Sequence, residues 1–147
     1  MHLLIDLDDS LCDAAWREPL IRTDGGWEAY HAQLHMDKLV PEVIALVRAL
    51  FFAGWKIHAL TARPEKWRVA TLRHLIKYSV PIERVLMRAD NDHRRAPDVK
   101  MDMVLNNFDG ISRSQMIALD DREDVALAYK SLGIVTFQVH RQVRCLS

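Results

Sequence analysis

Residues 1–13 read MHLLIDLDDSLCD. Leu3, Leu4 and Ile5 make a short apolar run that ends in three aspartates within four positions, Asp6, Asp8 and Asp9. Carboxylates this close raise one another's pKa unless a positive charge sits among them. The stretch therefore predicts a buried strand whose end is either a solvated acidic turn or the seat of a cation.

Working outward, short apolar runs alternate with segments of helical spacing. KIHAL (56–60), RVLMR (84–88), QMIALD (115–120) and IVTFQV (134–139) read as further strands. PEVIALVRALFFAG (41–54) reads as a helix, with Pro41 in its first turn and Gly54 at its stop. RPEKWRVATLRHLIKYS (63–79) predicts a helix entered at Pro64, with Val69, Leu72, Leu75 and Ile76 on its apolar face. PDVKMDMVLNNF (97–108) and REDVALAYKSLG (122–133) complete the set. Nearly continuous apolar strands between helices predict a Rossmann-like α/β fold, a parallel sheet with helices on both faces. Residues 1–147 are expected to form one domain.

The balance of 20 basic and 20 acidic residues does not advertise a nucleic-acid binder by global charge. Cys12 and Cys145 lie near opposite ends and make no metal-ligand spacing, so no disulfide framework is expected and the expected compartment is a reducing cytosol. No apolar run approaches about 18 residues, so no membrane span is expected. The N-terminus lacks the pattern of a signal peptide.

In sheets of this kind, ligands sit beyond the carboxyl ends of the strands. The first strand delivers Asp6, Asp8 and Ser10, and the second Thr61 and Arg63. The third is followed by Arg88, Arg94, Arg95 and Lys100, the fourth by Asp120 and Asp121. Carboxylates at two strand ends suit Mg²⁺, which takes a few carboxylate oxygens together with substrate phosphate and water. Lysine and arginine suit phosphate oxygens. The set makes sense as a metal-assisted phosphoryl-transfer site.

DLDDS (6–10) resembles the D-x-D-x-[T/V] motif of the haloacid dehalogenase (HAD) superfamily. Thr61, Lys100 and the Asp120–Asp121 pair are similar to its second, third and fourth motifs, in order. Within the superfamily the chain resembles the 3′-phosphatase group of polynucleotide kinases and its stand-alone relatives, through LTARPEKWR, VLMR, RRAPDVK and ALDDREDVALAYKSLGIVTFQV. Arg17, eleven residues after Asp6, falls where that group has a functional arginine. Ser10 replaces the usual Thr, Asp9 the common Gly, and Ala96 an acidic residue for which Asp98 is a candidate stand-in.

The resemblance implies that Asp6 attacks phosphorus and that Asp8 acts as general acid and then base. It implies Mg²⁺ as cofactor, held by Asp6, the Asp8 carbonyl and Asp121, with Asp120 in support. Thr61 and Lys100 would hold the phosphoryl oxygens, and Arg17, Arg63, Ser10 and Arg94 would line the substrate. The implied substrate is a polynucleotide 3′-phosphate end; a mononucleotide or another small phosphate ester is the alternative. A phospho-accepting receiver module also uses acids, a hydroxyl and a lysine, but the order of these groups along the chain disfavours it. A non-catalytic subunit is disfavoured because all four motifs keep competent residues. No G-x-x-x-x-G-K-[ST] loop is present, so a kinase would be a separate partner chain.

Several groups have plainer readings. Thr61 also suits a helix N-cap, and Asp124 an ordinary first-turn acid. His31 and His35 have zinc-compatible spacing without a third ligand, and a solvated face is expected there. The resemblance also implies that residues about 12–40 form a small cap insert after the first strand; Trp16, Trp27 and Tyr30 suit either a nucleobase stack or the interior of that cap.

Overall fold

A computed structural model describes residues 1–140. Five strands form a parallel sheet in the order β5-β4-β1-β6-β7: β1 His2–Ile5, β4 Lys56–Pro64, β5 Arg84–Arg88, β6 Met116–Asp120 and β7 Val135–Gln138. Side chains alternate across a strand. Leu3 and Ile5 therefore pack on one face with Val43, Ile44 and Val47 of α2 (Pro41–Phe52) and Leu75 of α3 (Arg68–Lys77). Leu4 packs on the other face with Val99 and Met103 of α4 (Ala96–Asn107) and Val125 and Tyr129 of α5 (Glu123–Ser131). Two covered faces explain why β1 reads as unbroken apolar sequence rather than alternation. Each such buried side chain contributes roughly 1.5–3 kcal/mol.

The segment between β1 and α2 carries a two-stranded antiparallel ribbon, β2 (Cys12–Asp13) with β3 (Lys38–Leu39). Between them lie a 3-10 helix, Ala15–Arg22, and the short α1, Gly26–Ala32. Cys12 is buried, while Cys145 lies outside the described residues. No helix of the described residues is long and apolar enough to cross a membrane.

One element departs from expectation. Pro64 does not open a helix: it is extended (φ −61°, ψ 147°) and ends β4, and α3 begins only at Arg68 after a 3-10 turn, Glu65–Trp67. The expected apolar face is also rotated. Val69 and Ile76 are 60% and 73% exposed, while Thr71, His74 and Leu75 are buried. The reason is that α3 packs on polar partners. Thr71 Oγ1 accepts from Arg63 Nη1 (3.3 Å), and His74 Nε2 donates to the Asp37 carbonyl (2.9 Å).

The strand order reverses at β1, which lies between β4 and β6. Open α/β sheets form their crevice at such a reversal, outside the carboxyl ends of the strands.

Candidate active site

The turn after β1 is built to present two carboxylates. Asp9 adopts a left-handed conformation, φ 64°, which is costly for a residue with a Cβ. Its Oδ1 accepts from the Ala14 amide (3.0 Å) and its own amide donates to the Cys12 carbonyl (2.7 Å). This is the position where the resembled motif has Gly, which takes that conformation freely. Ser10 is fully buried, and its hydroxyl has no partner.

Two clusters of charge meet at this edge. In the first, Asp8 Oδ1 accepts from Arg17 Nη2 and Arg63 Nη2, each at 2.7 Å. Arg17 also grips Asp37 through Nε (2.8 Å, Oδ1) and Nη2 (2.6 Å, Oδ2). Trp16 Nε1 donates to Asp37 Oδ1 (3.0 Å), and Arg17 Nη1 to the Tyr30 carbonyl (2.9 Å). Both guanidiniums and Asp37 are inaccessible, while the Asp8 side chain remains 20% exposed. Two arginines against two aspartates make this cluster neutral. Burial alone would push the Asp8 carboxyl up, but Arg63 and then Arg17 outweigh it and hold it well below the usual carboxylate range.

The second cluster is not balanced. Lys100 Nζ, on α4, lies 2.7 Å from Asp6 Oδ1 and 2.6 Å from Asp120 Oδ2. Asp6, Asp120 and Asp121 can each bring one oxygen within 4.8 Å of the others. Three carboxylates against one ammonium leave two negative charges uncompensated. Burial, with Asp120 and Asp8 adding to it and Lys100 opposing, raises the Asp6 carboxyl. Burial and then Asp120 push Asp121 up to about 6. A deficit of this size in an all-oxygen donor set fits a hard divalent cation such as Mg²⁺.

A family model, the polynucleotide kinase PNKP phosphatase domain, matches residues 2–142. The chain belongs to that family. A chain in the structure of the Pnkp1/Rnl/Hen1 RNA repair complex is 26% identical, with TM-score 0.79, covering 94% of this chain and 42% of that one. A second Pnkp1/Rnl/Hen1 complex gives 26% identity and TM-score 0.77, over 94% and 45%. The putative HAD-hydrolase YfnB from Bacillus subtilis, bound to magnesium, shares the fold at 12% identity and TM-score 0.72, over 99% and 89%. The chain thus spans less than half the length of the Pnkp1-complex chains it matches. No curated protein matches it. The fold is the HAD fold, and the chain is a HAD phosphatase domain, a phosphoric monoester hydrolase.

Within this phosphatase domain, Asp6, Asp8, Lys100, Asp120 and Asp121 converge at the carboxyl edge together with Thr61 and Ser10. Thr61 is buried, and its Oγ1 accepts from the Arg63 amide (3.2 Å). It does not cap α3, which starts seven residues later. Arg17 and Arg63, expected as substrate contacts, are buried and pair with Asp8. Arg94, also expected at the substrate, pairs with Asp92 (2.8 Å) and Asp102 (2.7 Å). Arg88 braces the same loop through the Ala62, Asp92 and Arg94 carbonyls. Asp124 pairs with Arg122 (2.8 Å) and Arg95 (3.2 Å) in the first turn of α5. Ala96 is buried, and Asp98 is exposed.

The expected solvated histidine face is half wrong. His35 is exposed, but His31 is buried among Trp27, Tyr30 and Trp67. Asp37 escaped sequence reading altogether. It is a lone acid in LHMDKL with no motif around it, and its only signal was that a buried Arg17 would need a partner.

Proposed function

We propose that the chain hydrolyses a phosphate monoester with Mg²⁺ through an aspartyl-phosphate on Asp6, and that its substrate is a polynucleotide 3′-phosphate end. The observation that carries this reading is the position of Lys100 between Asp6 and Asp120, beside a cluster still short of two positive charges. A resident divalent cation on Asp6, Asp121 and the Asp8 carbonyl, with Asp120 in support, would reduce repulsion between Asp6 and an anionic phosphate.

Asp6 attacks phosphorus as the bond to the 3′-oxygen breaks, and Asp8 gives that oxygen its proton. The resting Asp8 is ionised, so it first takes up a proton, which a monoanionic phosphate ester brings with it. Water then attacks phosphorus, Asp8 accepts the proton of that water, and cleavage of the acyl phosphate restores Asp6. Arg17 and Arg63 act through Asp8 by fixing its carboxylate. Lys100 and Thr61 hold phosphoryl oxygens.

Similarity to a chain of an RNA repair complex supports a nucleic-acid end. So does the rim of the site, where Arg95 (75% exposed) and Arg122 (53%) share the single carboxylate of Asp124. Exposed cations there suit a strand that carries further phosphates. A cytosolic setting and a kinase on a separate chain accord with this reading.

The test is phosphate release with Mg²⁺ from 3′- and 5′-phosphorylated DNA and RNA ends, 3′- and 5′-mononucleotides and sugar phosphates. The 3′-ends should show the highest kcat/KM, by a margin that shrinks as salt rises. A mononucleotide preferred at low salt would replace this reading with a nucleotidase.

A further inference from the structure

Trp27 is 61% exposed, although it stands on a column of rings that are otherwise well packed. Its ring stacks on His31 (centroids 5.9 Å, planes 25° apart) and meets the edge of Tyr30 at 5.3 Å. His31 in turn lies 6.2 Å from Trp67, at 36°. The Glu28–Lys66 ion pair ties α1, which carries Trp27, to the turn after β4. The column is therefore held at both ends, with the outer face of Trp27 open.

Trp16, also exposed, has its indole N–H engaged by Asp37. Trp27 has no such anchor, and two polar groups in its column, His31 Nδ1 and Trp67 Nε1, are buried without partners. The column is also continuous with the catalytic edge. The Arg17 guanidinium lies over the Tyr30 ring (4.1 Å from Cζ to centroid) and binds Asp8. One guanidinium and one ring link Asp8 to Trp27.

We propose that the outer face of Trp27 is a stacking platform for the base of the nucleotide that bears the scissile phosphate. This rests on the 3′-end reading above and deepens it. Every base has a π-face, so the platform tolerates any terminal base, and selectivity comes from having a base at all. The fixed column removes the cost of ordering the ring when the base arrives.

The test compares two 3′-phosphorylated oligodeoxynucleotides, one with a normal terminal nucleotide and one whose terminal nucleotide is abasic. In the wild-type protein kcat/KM should favour the base-bearing end by about tenfold. Trp27→Ala should bring that ratio close to one, and Trp27→Phe should keep most of it. A wild-type ratio near one, or a Trp27→Ala loss equal on both ends, would overturn the platform. If mononucleotides prove the better substrates, the polynucleotide reading fails. The platform is then judged by the same ratio taken between a 3′-mononucleotide and 2-deoxyribose 3-phosphate.

Discussion

The two edges of one sheet bury polar groups in opposite ways. At the carboxyl edge, Asp6, Asp8, Asp37, Asp120, Arg17, Arg63 and Lys100 are held as paired charges. At the amino edge, His2 Nδ1 and His58 Nε2 lie 3.0 Å apart, their rings stack at 5.3 Å, and Phe108 closes on His58 at 5.0 Å. Burial there, with Arg84 adding to it, pulls His58 down to about 4, so the buried histidine is neutral at physiological pH. Burying charge costs several kcal/mol per ion unless it is paired and hydrogen-bonded. One edge meets that cost to assemble reactive groups; the other avoids it. The carboxyl edge divides further into a neutral quartet that fixes Asp8 and an acidic cluster left open to a cation.

The sharpest way to break this contrast is Asp6→Asn. It keeps the side chain's size and removes the attacking oxyanion, so turnover should fall by about 10⁴-fold or more, to background. The Tm should hold or rise, because the change subtracts a charge from a cluster with too many. Substantial turnover by a clean Asp6→Asn preparation would end the nucleophile assignment.

Metal removal probes the same imbalance without a mutation. EDTA should abolish turnover and Mg²⁺ restore it, whereas Ca²⁺ should restore it poorly, because its larger, looser coordination shell misplaces the attacking oxygen. Saturating Mg²⁺ should also raise the Tm by several degrees through binding linkage. Full activity in EDTA would mean that Lys100 alone satisfies the cluster.

Arg63→Met tests the neutral quartet. Removing one partner of a buried ion pair costs about 3–5 kcal/mol, or roughly 10 °C in a chain of this length. Turnover should drop alike for oligonucleotide and small esters, since Arg63 acts on Asp8 rather than on substrate. Arg94→Ala, which removes two exposed pairs, should leave the Tm nearly unchanged. Equal Tm losses for the two variants would show that burial does not distinguish the quartet from a surface ion pair.

These contrasts also separate what was legible in the sequence from what was not. The strands and the groups at their ends could be read because each apolar run stops at its functional residue, as Ile5 does before Asp6 and Leu119 before Asp120. A carboxyl edge gathers such groups whatever the lengths of the crossovers, so Lys100 could be placed beside Asp6 across more than ninety residues. The quartet could not be read. It depends on Asp37 and Arg17 meeting across the β1–α2 segment, a tertiary contact with no periodicity behind it. The start of α3 was misplaced for a related reason. Proline suits a helix's first turn and an extended strand end equally well, and the pairing of Pro64 with Arg88 decided between them. His31 was misjudged because spacing alone does not reveal a ring from another element, here Trp67, that covers it.

The smallest expected effect lies at the amino edge and concerns pH. The folded-state pKa of His58, about 4, is below the ordinary value of 6.5. As pH falls through that window the unfolded chain takes up a proton that the folded chain refuses. The stability tied to His58 is therefore complete above about pH 6.5 and is lost as pH falls towards 4. His31, also held near 4 by burial, adds to the same slope. His58→Phe offers Phe108 a ring of similar size and removes one titrating group. It should flatten the fall in stability by up to about 1.4 kcal/mol per pH unit, read as Tm against pH between 6.5 and 4. Turnover at pH 7.5 should match the wild type, since His58 lies at the opposite end of β4 from Thr61 and Arg63. An unchanged pH slope would mean that His58 is protonated in the folded state, and a loss of turnover would mean that the two edges are coupled through β4.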